Sequence, residues 1–197
     1  MITKHQITVE RAHKNWIFYA KIHNGKIITC SKTTIKIWDL RSGAFLRQLQ
    51  GHGGPVNCLD VSDDFVISGS TDKTIKIWGL ETGECLSTLD IKREVSCVRY
   101  LNDTVICGVD TVIEIWDISQ AKCVSVIDVA APVSCICVVN GVIVSGSTTG
   151  DVQLWNIETG KCGQILKHGD KLRSITITED NTLITVSSDY VLKIWKG

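Results

Sequence analysis

The chain has 197 residues, and its 21 Lys and Arg are balanced by 21 Asp and Glu, for a formal net charge of zero. That balance offers no electrostatic footprint for nucleic acid or an anionic membrane, and no apolar run approaches the roughly 20 residues of a membrane-spanning helix. With two prolines and no low-complexity tract there is no linker, so a single domain, 1–197, is expected.

The opening MITKHQITVE lacks the charged-then-apolar pattern of a secretion signal. Within it, Lys4–Val9 alternates and reads as a strand that stands ahead of its own sheet. Trp16–Ile22, Lys26–Thr29 and Ile35–Trp38 then read as first, second and third strands. The stretch from Gly51 to Asp90 is the clearest unit. VNCLDV and FVISG alternate, the turn STDKT leads into IKIWG, and LETGE leads into CLSTL. Short period-2 runs punctuated by Gly, Asp, Ser and Thr are antiparallel strands joined by hairpins. Four of them in about 40 residues make one propeller blade.

Trp38, Trp78, Trp116, Trp155 and Trp195 close the same strand, in IKIWD, IKIWG, IEIWD, VQLWN and LKIWK, and recur every 38–40 residues. A fixed period of that length marks a repeat array. The Ile or Leu before each Trp faces one side of the sheet and the Trp the other, which suits a blade sandwiched between two others. On these residues the chain resembles the WD-repeat family of β-propellers. The resemblance implies an all-β fold of five WD-type, four-stranded antiparallel blades. The repeats fall at about 12–50, 51–90, 91–128, 129–166 and 167–197 plus 1–11. It further implies that Lys4–Val9 completes the last blade beside Leu192–Trp195, which removes the free edges. Relative to seven-bladed members the propeller is incomplete, and a closed ring, an open one and part of a longer chain all remain open. The wording ISGSTDKTIKIWGLETGECLSTL most resembles the F-box/WD proteins.

Nine cysteines without a secretion signal read as reduced thiols. Cys58, Cys97 and Cys135 share one repeat position and Cys85, Cys123 and Cys162 another, so they read as packing residues. Cys135 and Cys137 share a strand face, but no CxxC or nearby His completes a ligand set. No metal site and no cofactor are expected. His52, Ser68 and Asp72 invite a hydrolase reading, yet parts of the set return as His168 and Asp189, each ahead of a repeat Trp. In the family such a His, Ser or Thr, Asp and Trp hydrogen-bond within one blade. His52, Ser68, Asp72 and Trp78, with His168, Asp189 and Trp195, are therefore expected to be structural, and the chain not to be an enzyme. GSTDKT lacks the spacing of a phosphate loop.

The resemblance also places a recognition face where the first strands begin. Trp16, Phe18, Asn57, Val109, Lys171 and Arg173 are the candidates to touch a partner, and Trp and Arg are the residue types that most often dominate binding energy. The function implied is a non-catalytic scaffold that binds other proteins or peptides, with no nucleic acid or membrane partner, in the cytoplasm or nucleus. Two alternatives are the substrate-recognition part of an F-box/WD ubiquitin ligase receptor and the targeting module of a separate enzyme such as a kinase.

Overall fold

A computed structural model describes residues 7–178 and 180–196. Among these residues, nineteen strands form five antiparallel sheets, a five-bladed β-propeller. Blade one holds β1 (Tyr19–His23), β2 (Lys26–Ser31), β3 (Thr34–Asp39) and β4 (Phe45–Gln50). Blade two holds β5 (Val56–Val61), β6 (Phe65–Ser70), β7 (Thr74–Gly79) and β8 (Cys85–Asp90). Blade three holds β9 (Cys97–Leu101), β10 (Thr104–Val109), β11 (Val112–Asp117) and β12 (Lys122–Asp128). Blade four holds β13 (Val133–Val139), β14 (Val142–Ser147), β15 (Asp151–Asn156) and β16 (Cys162–Lys167), and blade five holds β17 (Leu172–Ile177), β18 (Leu183–Ser187) and β19 (Leu192–Trp195).

The hairpins follow from local chemistry. Asn24-Gly25 and Asn140-Gly141, all at positive φ, make two-residue turns whose twist matches that of the flanking strands. Blades two to four then bury both faces against their neighbours. Ile35 and Ile37 of blade one meet Trp78 of blade two, and Ile75 and Ile77 of blade two meet Val98 and Val105 of blade three. Ile113 and Ile115 meet Trp155, and Val152 meets Leu172, with Trp195 packed against them. Fully burying one such aliphatic side chain contributes roughly 1.5–3 kcal/mol.

A second repeated contact wedges the blades together near the channel. Cys58 pairs across the sheet with Gly69, Cys97 with Gly108 and Cys135 with Gly146. The missing side chain makes room for the thiol and for an aliphatic residue of the next blade: Val95, Val133 and Leu172 respectively.

One expectation is corrected here, and a second falls largely outside the described residues. The first strand of blade one begins at Tyr19, so Trp16–Phe18 precede the sheet, although the Phe18 amide still donates to Cys30 O at 2.9 Å. The fifth blade has three strands among the described residues, and no fourth strand lies beside β19. Of the expected strand Lys4–Val9, residues 4–6 fall outside the described residues, and Ile7–Val9 are not in a strand. Ile7 and Val9 meet the bare backbone of Gly43 in the β3–β4 turn, as Arg47 and Leu49 of β4 meet Gly83 in the β7–β8 turn one repeat later. A Cβ on Gly43 would stand 2.7 Å from Ile7 Cγ2 and 3.0 Å from Val9 Cγ2. The two apolar side chains thus meet blade one as the fourth strand of blade one meets blade two. Blades five and one share no apolar cluster among the described residues, and Leu192 and Ile194 are each 57% exposed.

Candidate functional site: the channel between the first strands

The first strands of all five blades stand around a channel. At the mouth where they begin, a cavity of about 340 Å³ is lined by Phe18, Asn57, Ser96, Ser134 and Arg173, with Arg99 deeper in. At the opposite mouth, a cavity of about 540 Å³ is lined by residues including Lys21, Asp60, Tyr100 and Ile177. Tyr19, Arg99 and Ile175 line both and form the waist.

The first mouth carries two guanidinium groups and no carboxylate. Arg173 is exposed, and its Nε donates to Ser188 Oγ at 2.8 Å, which steadies it on the β18–β19 turn. Ser188 Oγ donates in turn to Lys171 O at 3.2 Å. Asn57 and Ser96 reach across blades: Asn57 Nδ2 donates to Val95 O at 3.2 Å, and Ser96 Oγ lies 2.8 Å from Val133 O. Burial opposes the charge on Arg99, but Tyr19 and Asp60 beside it more than offset that and raise its pKa.

The structure thus brings Phe18, Asn57 and Arg173 together at one mouth. Trp16, 84% exposed, and Lys171, half-buried, both stand outside the cavity lining. Val109 is corrected: it is fully buried in the core between blades two and three, where no partner reaches it. The reason is a shorter turn. Between β6 and β7 lie Thr71, Asp72 and Lys73, but between β10 and β11 only Asp110 and Thr111. Counting back from Trp116 therefore lands on the end of the strand, the position that Ser70 fills in blade two.

Sequence reasoning missed the opposite mouth. Lys21, Asp60 and Arg99 occupy equivalent positions of three successive first strands, two residues after Tyr19, Cys58 and Cys97. Reading down that column, with its alternating charge, would have found them. Asp60 is buried, pairs with the Lys21 ammonium, and accepts the Tyr100 amide at 2.8 Å. One carboxylate thereby ties three blades.

Polar chains run behind the channel. In blade two, His52 Nδ1 lies 2.7 Å from Asp72 Oδ2 and His52 Nε2 lies 2.8 Å from Ser68 Oγ, which accepts Trp78 Nε1–H at 2.8 Å. A neutral imidazole protonated on Nδ1 satisfies every member. In blade one, Thr29 Oγ1 joins His13 at 2.8 Å and Trp38 at 2.9 Å. Blade four keeps Trp155 to Ser145 at 2.9 Å. In blade three the hydroxyl position is Cys107, and Trp116 Nε1 turns to Glu114 Oε2 at 2.8 Å. In blade five, Trp195 donates to Thr185 Oγ1 at 2.9 Å, while Asp189 is engaged by Ser187 and His168 Nδ1 is buried without a partner. The set repeats in part in every blade, as a fastening does.

Residues 43–79 and 160–196 match the WD domain, G-beta repeat model. Those two stretches resemble WD40 repeats. WD40 propellers are typically non-catalytic scaffolds that bind other proteins. The chain is 41% identical over 59 residues to WD repeat-containing protein pop1 of Schizosaccharomyces pombe, a match that covers 30% of this chain and 8% of that protein. It is 37% identical over 73 residues to eukaryotic translation initiation factor 3 subunit I of Debaryomyces hansenii, covering 36% and 21%. A longer match, 24% identical over 188 residues, covers 92% of this chain and 30% of autophagy-related protein 16 of Arabidopsis thaliana. These matches span well under half of the relatives' length, and their names do not single out the F-box/WD type. In fold, the chain is similar to the computationally designed Ika8 protein, with a TM-score of 0.82 at 23% identity. That match covers 94% of this chain and 59% of the other.

Proposed function

We propose that this chain is a non-catalytic platform that takes an extended protein segment at the first mouth of its channel. The segment carries an acidic or phosphorylated residue beside an apolar one. The observation that carries this reading is the shared cavity: Phe18, Arg99 and Arg173 line one space of about 340 Å³ that holds no carboxylate. A guanidinium gives charge-assisted, bidentate hydrogen bonds to a carboxylate or phosphate, and an exposed ring gives apolar area. Trp16, two residues ahead of Phe18 in the chain, is exposed and free to add apolar area to a partner. The nine cysteines are all free, which fits action in the cytoplasm or nucleus.

The test compares recovery of acidic and phosphorylated peptides from an oriented library by the wild type, Arg173→Glu and Glu158→Lys. Glu158 is exposed in the β15–β16 turn, away from the cavity. Arg173→Glu should lower affinity by about tenfold or more, leave the fold intact and spare no acidic ligand. Equal recovery by wild type and Arg173→Glu, with loss in Glu158→Lys, would move the binding surface elsewhere.

A further inference from the structure

We infer that blade one holds a phosphate site: the pocket between His13, Ser31 and Lys32 takes a phosphate group at the place that the Asp72 carboxylate fills in blade two. This site is separate from the channel mouth and does not rest on the reading of it.

Blade two shows what the pocket is built to hold. Its Asp72 carboxylate collects four donors: His52 Nδ1 at 2.7 Å, the Gly53 amide at 2.8 Å, and the Thr74 amide and hydroxyl at 3.0 and 2.7 Å. Blade one keeps the donors without the acid. Only Lys32 and Thr33 lie between Ser31 and Thr34, where Thr71, Asp72 and Lys73 lie between Ser70 and Thr74. His13 Nε2 meets Thr29 as His52 Nε2 meets Ser68, which leaves His13 Nδ1 facing no carboxylate among the described residues. Ser31 points the same way. It is 2% exposed, and its Oγ is buried with no hydrogen-bond partner. The equivalent Ser70 accepts the Asp72 amide at 3.0 Å and donates to Gly54 O at 3.1 Å. Ser147 and Ser187 likewise meet Thr149 and Asp189 of their own turns. A buried hydroxyl without a partner is costly, and a bound oxyanion relieves it.

Charge selects the ligand. His13 and Ser31 line a cavity of about 260 Å³ together with Lys14, Lys32, Thr34 and Lys36, and no carboxylate among the described residues lines it. Lys14 and Lys32 are exposed and belong to no ion pair among the described residues, while Lys36 Nζ donates to Ala12 O at 2.7 Å. Burial, and then Lys36, hold the His13 pKa below its ordinary value. A single carboxylate would leave most of the lysine charge unmatched. A phosphate monoester brings about two negative charges and three acceptor oxygens. That is enough to accept from His13 Nδ1, Ser31 Oγ and a lysine ammonium, the last a charge-assisted bond.

The test titrates the full chain with inorganic phosphate and with a phosphoserine peptide, and follows the His13 ring nitrogens by NMR and the melting temperature. Bound phosphate should raise the His13 pKa by about 1 or more and raise the melting temperature. A peptide that acts at about tenfold lower concentration than inorganic phosphate would identify a protein side chain as the source, and equal potency would identify free phosphate. Lys32→Glu should weaken binding by about tenfold or more. Ser31→Ala should weaken it too, yet should not lower the melting temperature without phosphate, because the hydroxyl has no partner to lose. An aspartate inserted between Lys32 and Thr33 restores the blade-two turn, and should abolish the phosphate response. No change at His13 with either ligand would overturn the proposal, as would a response that survives both Lys32→Glu and the inserted aspartate. A lower melting temperature of Ser31→Ala without phosphate would also overturn it, by showing the hydroxyl already satisfied. Loss of binding in Arg173→Glu but not in Lys32→Glu would place the phosphate at the channel mouth and overturn it as well.

Discussion

The imidazole of His52 is joined to the Asp72 carboxylate at 2.7 Å, and this bond fastens the loop ahead of β5 to the β6–β7 turn. The equivalent pair in blade five is not fastened so: Asp189 is held by Ser187, and His168 Nε2 lies 3.3 Å from the Thr185 carbonyl. Blade two should accordingly lose more than blade five when its histidine is removed. His52→Ala and Asp72→Ala should each cost about 1–3 kcal/mol in denaturant melts, because a buried partner is left unpaired. The double variant should cost less than their sum, since both act on one chain of hydrogen bonds. Strictly additive losses would mean that the two residues work separately.

Acid should weaken the same fastening in two stages. Burial lowers the pKa of His52 despite the attraction of Asp72. Burial also acts on His13, with Lys36 adding to the shift. A histidine whose folded pKa is depressed stabilises fully above the unfolded value of ~6.5, and that contribution is lost as pH falls through the folded pKa. Burial alone would raise the Asp72 carboxylate, but hydrogen bonds from Thr74, His52 and the Gly53 amide outweigh it and bring its pKa down to about 2. Its contribution is present above the unfolded value of ~3.9 and disappears towards the folded one. Unfolding free energy should thus decline below pH ~6.5 and again between about 4 and 2, and the first decline should shrink in His52→Ala.

Asp60 should prove more costly to remove than Lys21. The carboxylate is buried and holds both the Lys21 ammonium and the Tyr100 amide, whereas the lysine side chain is one-third exposed. Asp60→Ala leaves an amide and two cations without their partner and should destabilise by about 3 kcal/mol. Lys21→Ala should cost about 1 kcal/mol, nearer the value for a partly solvated pair. Equal losses in urea melts would show that the ion pair, and not the tie to blade three, carries the effect.

Gly108→Ala tests the wedge. The new methyl would stand 2.6 Å from both Cys97 Sγ and Val133 Cγ1, inside the contact distance of each. Overpacking of this kind typically costs about 1–3 kcal/mol. Adding Val133→Ala should recover part of the loss, because it empties the space that the methyl needs. Failure of the pair to recover anything would place the strain in the backbone.

How much of this was legible follows from where the signal sits. The third strands were readable because Trp38 to Trp195 recur with an aliphatic residue before each, a pattern that packing on both faces demands. Phe18, Asn57 and Arg173 reached one mouth because each lies at the start of a first strand, where spacing within a repeat is nearly constant. Val109 failed because one deleted turn residue shifts the count, and only the strand pairing of Gly108 with Cys97 reveals it. The place of Ile7 and Val9 was legible in part. Their period of 40 puts them at the positions of Arg47 and Leu49, and they meet Gly43 as those residues meet Gly83, although Ile7–Val9 are not themselves in a strand.

Among the described residues no apolar cluster joins blades five and one, and this bears on how the domain comes apart. Four apolar seals in series make it a linear array, in which each unit is held only by its neighbours. Unfolding can then begin at either end without breaking two seals at once, so proteolysis should nick the outer blades first and spare blades two and three. A ligand that touches Phe18 and Arg173 together would pin the ends to each other and turn the line into a loop. Its binding would be felt most as slower opening of the terminal blades.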